Sequence, residues 1–149
     1  MNVIEITDSS DRHIGILKDL LHQQMIDIGS EKTGEVIESA IKNALKQGSR
    51  ARFLLARLNS EAVGMVFLNV CSGIESEGDY VWLNEIQIKK EYRKQGIGRK
   101  LLDYVVNWAK ANNYKCILGV TDPENKASQH LFRSGGFGVS DIRWLNLEL

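Results

Sequence analysis

The stretch that decides the fold of this chain is Arg93-Lys94-Gln95-Gly96-Ile97-Gly98-Arg99-Lys100-Leu101-Leu102. Residues 81–88, just before it, have the apolar content of a strand, and residues 97–111 have the apolar spacing of a helix. The two glycines allow the backbone to approach a ligand, and the first N–H groups of a helix have no partner within the helix. The helix dipole favours an anion at that position. The sequence therefore predicts that a phosphorylated ligand binds in this turn.

Two common nucleotide-binding motifs fit this turn poorly. A Walker loop requires Gly, four residues and then Gly-Lys-Ser/Thr, a spacing that the chain lacks. A dinucleotide-binding turn requires Gly-x-Gly-x-x-Gly, and here Leu101 stands in place of the third glycine. Asp122 does follow the next predicted strand, where a ribose-binding acid would lie. Coenzyme A, which also carries a pyrophosphate, is the third possible ligand.

Two blocks of residues carry a family resemblance. The motif Arg93-x-x-Gly96-x-Gly98 resembles the Arg/Gln-x-x-Gly-x-Gly/Ala signature of the GNAT superfamily of acyl-CoA N-acyltransferases, and residues 83–88 look like the family's fourth strand. A second block follows the family's Asn…Ala/Ser…Leu…Gly-Phe spacing and consists of Asn125, Ser128, Leu131, Gly136 and Phe137. The resemblance covers residues 61–149 closely and the N-terminal part in outline.

The resemblance implies a binding site for acetyl-CoA as co-substrate. Backbone N–H groups from Lys94 to Arg99 would hold the pyrophosphate. In the family the fourth and fifth strands diverge, and the pantetheine arm fills the gap by main-chain hydrogen bonds, here with Ile86 and Ile88. The predicted cofactor-binding residues are Ile86, Gln87, Ile88, Arg93, Lys94, Gln95, Gly96, Ile97, Gly98, Arg99, Asn125, Ser128 and Phe132.

Two polar residues on the same strand are the candidates for catalysis. An attacking amine must be neutral, so a base must accept its proton. Glu85 is the first candidate for that base, or for a residue that orders water toward it, and Asn84 could orient the substrate. The alternative is that Glu85 is a strand carboxylate in an ion pair. Strand alternation places Glu85 on the opposite face from Asn84 and Ile86, unless a bulge changes its direction.

One departure from the family concerns the general acid. The family often has a tyrosine at the position of Phe132, and phenylalanine cannot protonate the leaving thiolate. Water, Tyr80, Tyr92 or Tyr114 could substitute, or no acid is required, because a thiol pKa of about 8.5 makes thiolate a tolerable leaving group. The main hypothesis is therefore an N-acetyltransferase that transfers acetyl to a primary amine of a small molecule or peptide by direct attack in a ternary complex. The alternative is a non-catalytic module that senses acyl-CoA.

Composition narrows the class further. The 149 residues suggest a single domain over 1–149. Lys plus Arg and Asp plus Glu number 19 each, for a formal net charge of +0, so neither nucleic acid nor a membrane is an expected partner. Histidines and cysteines are scattered, which predicts no metal site. No leader or apolar span of roughly 20 residues is visible, so the expected location is the cytoplasm.

The order of predicted elements gives an α+β fold. The expected structure is a central, mixed and mostly antiparallel sheet with helices on both faces, an α/β/α sandwich of the GNAT type. Strands are expected at 2–6, 52–58, 61–71, 81–88, 116–121 (buried) and, as one or two closing strands, 139–149. Helices are expected at 14–28, 34–47, 97–111 and 125–134.

The acceptor and the assembly are less constrained. The acidic segment with Glu75, Glu77 and Asp79 could attract a cationic amine, or could be a solvated loop. A homodimer is possible, because members of the family often dimerise. Trp108 and Trp144 could lie in such an interface or in the core.

Overall fold

The computed structural model describes residues 1–149 and contains five strands and four α-helices. The strands are β1 (Asn2–Ile6), β2 (Ala51–Leu58), β3 (Glu61–Cys71), β4 (Tyr80–Ile88) and β5 (Ile117–Gly119). The helices are α1 (Ile14–Asp27), α2 (Gly34–Ala44), α3 (Ile97–Ala111) and α4 (Lys126–Ser134), and a 3-10 turn at Lys90–Tyr92 follows β4.

The strands form one sheet in the order β1-β2-β3-β4-β5. Each neighbouring pair from β1 to β4 is antiparallel, whereas β5 is parallel to β4. The tight turn between β2 and β3 has positive φ at Asn59 and Ser60, as a two-residue hairpin loop requires. The mixed, mostly antiparallel sheet is therefore confirmed.

Both faces of the sheet are covered, because successive strand residues point to opposite sides. On β2, Leu55 packs with α1 and α2, and its neighbour Leu54 packs with α3. On β3, Met65 and Val66 divide in the same way. Each face buries 13 residues in its own apolar cluster. This arrangement is the expected α/β/α sandwich.

Two predicted strands differ from the structure. Residues 139–149 contain no strand, and the closing strands predicted there are wrong for the isolated chain. The fifth strand pairs over Ile117–Gly119 only, and Leu118 is exposed rather than buried. Both errors have the same cause. An apolar run in the sequence indicates a tendency to form a strand, but it does not specify which part of the fold will cover that strand. None of the helices combines the length and apolar character needed to cross a membrane.

Candidate active site

The turn before α3 presents a row of unpaired backbone donors. Lys94 and Gly96 both adopt left-handed backbone conformations, with φ of 60° and 76°, so the chain winds tightly around the turn. Gly96 caps α3 without any side-chain hydrogen bond to the helix. The backbone N–H groups of Lys94 through Arg99 donate to no protein acceptor, backbone or side chain. Six unpaired donors at a helix N-terminus are suited to a pyrophosphate.

Side chains in the turn mostly brace it. Arg93 Nε donates to the Ile88 carbonyl at 2.9 Å, and Gln95 Nε2 donates to the Glu91 carbonyl at 2.9 Å. Arg99 Nε donates to Asp103 Oδ1 at 2.8 Å, and its Nη1 donates to the Ser134 carbonyl. These contacts join the turn to β4 and α4. The backbone N–H groups of the turn, by contrast, stay unpaired.

The two remaining turn residues show how closely the elements approach. Ile97 is buried and packs in the core on the α3 face of the sheet. A Cβ added to Gly98 would lie 3.6 Å from Ile88 Cγ1 and 3.7 Å from Leu131 Cδ2, which are ordinary contact distances. The Gly98 backbone therefore lies close to both β4 and α4.

A gap opens between β4 and β5 beside this turn. Their pairing ends at Leu83 and Gly119, so the second half of β4 has no neighbour on that side. Lys89 N donates to the Val63 carbonyl at 2.9 Å, which orients the odd-numbered residues after the bulge toward β3. The main chain of Ile86 and Ile88 consequently faces the gap. The Ile88 carbonyl is taken by Arg93, and the Ile86 main chain is free to pair with a ligand.

A β-bulge at Asn84 reorganises the candidate catalytic residues. Phe67 pairs with Glu85 but Leu68 pairs with Leu83, so Asn84 is the extra residue. Asn69 Nδ2 donates to Asn84 Oδ1 at 2.7 Å. Because Asn69 and Phe67 alternate onto the α1–α2 face of β3, Asn84 lies on that face together with Glu85. The prediction from simple alternation, that Asn84 and Glu85 lie on opposite faces, is therefore wrong, because the bulge places both on the same face.

The bulge leaves a signal in the sequence. Val81, Leu83, Ile86 and Ile88 all pack toward α3, at spacings of two, three and two residues. A regular strand would keep a spacing of two throughout. The phase break at residue 84 therefore marks the bulge, and it could have been read from the sequence.

Glu85 has the surroundings of a proton acceptor. Its Oε2 atom is buried and has no hydrogen-bond partner, and the carboxylate makes no ion pair. Burial raises the pKa of Glu85 above its ordinary value, and the ammonium of Lys32, between α1 and α2, opposes part of that rise. The ion-pair alternative for Glu85 is thus not what the structure contains. A half-buried carboxylate with an unused oxygen can accept a proton from an incoming ammonium group.

Gln87 joins the site to α1. The side chain is 7% exposed, and its Nε2 donates to the Leu20 carbonyl at 2.8 Å, while Oε1 has no partner. A cavity of ≈ 560 Å³ lies beside it, between α1 and the turn after β4, and includes Lys89 and Arg93 in its lining. Glu85 lies outside this lining. No motif in the sequence signals this particular contact between Gln87 and α1.

The residues predicted on α4 have mixed roles. Asn125 caps the helix, because its Oδ1 accepts from Ser128 N at 3.0 Å. The Asn125 Nδ2 and the Ser128 hydroxyl have no partner in the chain, so both can serve a ligand. Phe132 packs edge-on against Phe137, with ring centroids 5.2 Å apart, and belongs to the edge of the core. Part of the Phe132 ring is therefore used in packing.

Asn125→Ser separates the cap from the predicted cofactor contact. Serine is an equally good N-cap, so the free energy of unfolding should change by less than about 0.5 kcal/mol. Losing the amide donor should weaken coenzyme A binding by about 5- to 10-fold, the cost of one hydrogen bond. Calorimetric titration with coenzyme A measures the affinity, and urea unfolding measures the stability. Equal affinity in a variant of equal stability would show that Asn125 acts only as a cap.

None of the alternative tyrosines lies beside the gap. The Tyr92 hydroxyl donates to Glu61 Oε2 at 2.6 Å, and Tyr114 packs on Trp108 with ring centroids 5.3 Å apart. Tyr80 pairs with Cys71 at the opposite end of β4, six residues or roughly 20 Å from Ile86. The acidic loop lies at that same end, where Asp79 is paired with Arg50. None of these three tyrosines is therefore placed to act as a general acid in the gap.

Comparison with known proteins identifies the class. A family model described as the acetyltransferase (GNAT) family matches residues 17–137, most of the chain. The chain therefore belongs to this family, and the resemblance carried by the two motif blocks is confirmed. Membership assigns the class of enzyme, an acetyltransferase.

The individual proteins that this chain resembles share only part of its sequence. Streptothricin acetyltransferase A of Bacillus subtilis (strain 168) is 31% identical over 63 residues, which is 42% of this chain and 36% of that protein. The match thus spans little more than a third of that relative's length. A solved probable acetyltransferase superposes with a TM-score of 0.86 at 20% identity, covering 100% of this chain and 98% of that one. An aminoglycoside N-acetyltransferase in complex with coenzyme A gives 0.77 at 16% identity, over 99% and 93%. These structures confirm the fold.

Proposed function

We propose that this protein transfers the acetyl group of acetyl-CoA to a primary amine of a small molecule or peptide, by direct attack in a ternary complex. The observation that carries the proposal is the row of six unpaired N–H donors from Lys94 to Arg99, next to the open β4 edge. A pyrophosphate on the turn and an amide-bearing arm along Ile86 would use both surfaces. The solved relative that contains coenzyme A has the same fold.

The co-substrate and the acceptor amine would bind on different sides of β4. The gap side holds the co-substrate, which supplies an activated thioester when bound. The Ile86 N–H faces that gap and would donate to the thioester oxygen, where negative charge develops. The Asn84–Glu85 bulge faces α1 and α2, on the side from which the acceptor amine would approach. Glu85, on that face, is therefore the direct neighbour of Ile86, whose N–H lies at the edge of the strand.

Glu85 would prepare the amine for attack. An alkylammonium group is protonated at neutral pH and cannot attack, so its proton must be removed. The buried Glu85 carboxylate has a raised pKa and an unused oxygen, which makes it a stronger proton acceptor than a solvated glutamate. Asn84, held by Asn69, would orient the acceptor. The leaving thiolate requires no acid, because its conjugate thiol has a pKa of about 8.5.

The names of the relatives suggest the acceptor class. One is a streptothricin acetyltransferase and another an aminoglycoside N-acetyltransferase. A small-molecule amine is accordingly the first acceptor to screen, with peptide amines second. The proposal also includes one domain over residues 1–149, a cytoplasmic location and no metal requirement.

The test begins with ligand binding. Thermal unfolding is followed with acetyl-CoA, ATP or NAD, and a ligand at 100 times its Kd should add about 2.7 kcal/mol to the free energy of unfolding. Stabilisation by acetyl-CoA alone is the expected result. A response to NAD without a response to acetyl-CoA would overturn the proposal. Thiol release is then measured with a panel of amines, and tight binding without release by any amine would favour the acyl-CoA sensor.

A further inference from the structure

Three buried side-chain oxygens in this chain have no hydrogen-bond partner, and no buried side-chain nitrogen is left in that state. They are Gln24 Oε1, Glu85 Oε2 and Gln87 Oε1. Buried polar atoms are usually paired, so each exception requires an explanation. The Gln87 amide cannot be turned to supply a donor, because its Nε2 already donates to the Leu20 carbonyl at 2.8 Å. The group therefore offers acceptors only, and it suits a ligand that brings its own N–H donors.

The three oxygens come from α1 and from the part of β4 that α1 covers. The bond from Gln87 to the Leu20 carbonyl joins the two elements. Gln24 follows Leu20 by one helical turn, about 5.4 Å along the axis, on the same face of α1. Glu85 precedes Gln87 by two residues, about 7 Å along β4. Both side chains point toward α1, because their partners on β3 pack in the core on that face. All three side chains thus start near one contact.

The charge of this group favours a cation. Glu85 is its only ionisable member, and the carboxylate makes no ion pair. A buried carboxylate is stabilised by a partner that brings both a positive charge and a hydrogen bond. A primary ammonium carries three N–H donors on one nitrogen, which equals the number of unpaired oxygens.

A ligand can reach the group from solvent. The cavity of ≈ 560 Å³ beside Gln87 opens along α1, and the α1 side of its lining carries the carboxylates of Asp19 and Asp27. These carboxylates attract a cation, whereas the basic residues of the cavity lie on the opposite side, at the turn after β4. The Gln24 side chain makes no hydrogen bond within the chain, so it can rotate to admit the ligand without breaking one.

We propose that Gln24, Glu85 and Gln87 form the binding site for the acceptor amine, which enters as a primary ammonium ion and donates one N–H to each of the three oxygens. This inference rests on the proposed acetyl transfer and adds the specificity of its acceptor site. Transfer of one ammonium proton to Glu85 gives a neutral amine and a neutral carboxylic acid. The two remaining N–H groups stay on the two glutamine oxygens. Gln24 and Gln87 are then the residues that select primary amines.

The first experiment measures binding without turnover. Butylamine is the probe, titrated calorimetrically into the full chain saturated with coenzyme A. Gln24→Leu should weaken butylamine binding by about 10- to 100-fold, the loss of one hydrogen bond to a charged group. Gln47→Leu is the matched control, since Gln47 is exposed between α2 and β2, and it should bind butylamine as the wild type does. Gln24→Met repeats the comparison with an unbranched side chain, in case the leucine variant does not fold.

A second measurement varies the ligand instead of the protein. Butyltrimethylammonium has the charge of butylammonium but no N–H donor, so it should bind at least about 10-fold more weakly. In turnover, Gln24→Leu should raise the KM for butylamine with little change in kcat, because the lost contact is made in the ground state as well. The affinity for coenzyme A should not change.

Several results would overturn the ammonium site. They are equal binding of butylamine and butyltrimethylammonium, a Gln24→Leu variant with wild-type affinity for butylamine, no binding of butylamine to the wild type, or a loss of coenzyme A affinity in Gln24→Leu. Failure of acetyl transfer itself looks different, because acetyl-CoA would then not bind or no amine would release thiol. An enzyme that acetylates amines equally well with and without Gln24 would contradict this inference alone.

Discussion

Gly98→Glu is expected to weaken coenzyme A binding by roughly 100-fold or more, because it places a carboxylate where the pyrophosphate would lie. Two like charges about 4 Å apart repel by about 4 kcal/mol at an effective dielectric constant of 20. The fold should tolerate the change, since Gly98 has no positive φ and an added Cβ meets Ile88 and Leu131 at 3.6–3.8 Å. A glutamate in the first turn of a helix also interacts favourably with the helix dipole. Calorimetric titration with coenzyme A measures the affinity.

Gly98→Gln is the matched control for this experiment, because it has the same size without the charge. Its affinity should fall less than that of the glutamate variant, and the difference between the two measures repulsion alone. Gly96 is a poorer choice for substitution, since its φ of 76° would strain any residue with a side chain. A loss of affinity could then come from damage to the fold. If folded Gly98→Glu bound coenzyme A with wild-type affinity, the proposal that the pyrophosphate lies in this turn would be wrong.

Glu85→Gln is expected to lower the rate of amine acetylation by about 100-fold at neutral pH, where the acceptor is an ammonium ion. Because burial raises the pKa of Glu85, the carboxylate becomes ionised only as the pH passes above that raised value. The wild-type kcat/KM should therefore rise with pH through this window, and the glutamine variant should lack that rise. At high pH the amine is already neutral, so the two rates should converge. A profile of kcat/KM from about pH 5 to about pH 10 measures the effect.

Two controls distinguish loss of a base from damage to the fold. Glu85→Gln should bind coenzyme A with unchanged affinity and should not melt below the wild type, because it removes a half-buried charge that has no partner. Glu75→Gln, in the exposed loop before β4, should leave the rate unchanged. An equal loss of rate at every pH would indicate that Glu85 positions the substrate and does not accept the proton.

Much of the fold follows from local patterns. The alternation in β2 and β3, the hairpin turn at Asn59–Ser60 and the apolar stripe of α3 are determined by neighbours in sequence, and each is where the sequence predicts it. The turn before α3 also follows from local sequence, because glycine conformation and unpaired helix N–H groups need no distant partner. The helix cap at Asn125 is also determined by neighbours in sequence.

The candidate site depends on contacts that the sequence does not specify. The bulge at Asn84 is visible as a phase break, but the face to which Asn84 and Glu85 turn is decided by the pairing of β4 with β3. The bond from Gln87 to the Leu20 carbonyl joins residues 67 positions apart. The apolar pattern of residues 139–149 predicts a strand, yet no strand partner for it lies within the chain.

The sequence by itself determined the glycine turn before α3, the family and the order of the elements from β1 to α4, because these depend on residue types at short spacing. Only the tertiary structure decided which face of β4 carries Glu85, where the β4–β5 gap opens, and which oxygen of the carboxylate stays without a partner. These properties arise when separate elements pack together. Burial and missing partners are then set by what lies across the interface, which local sequence does not encode.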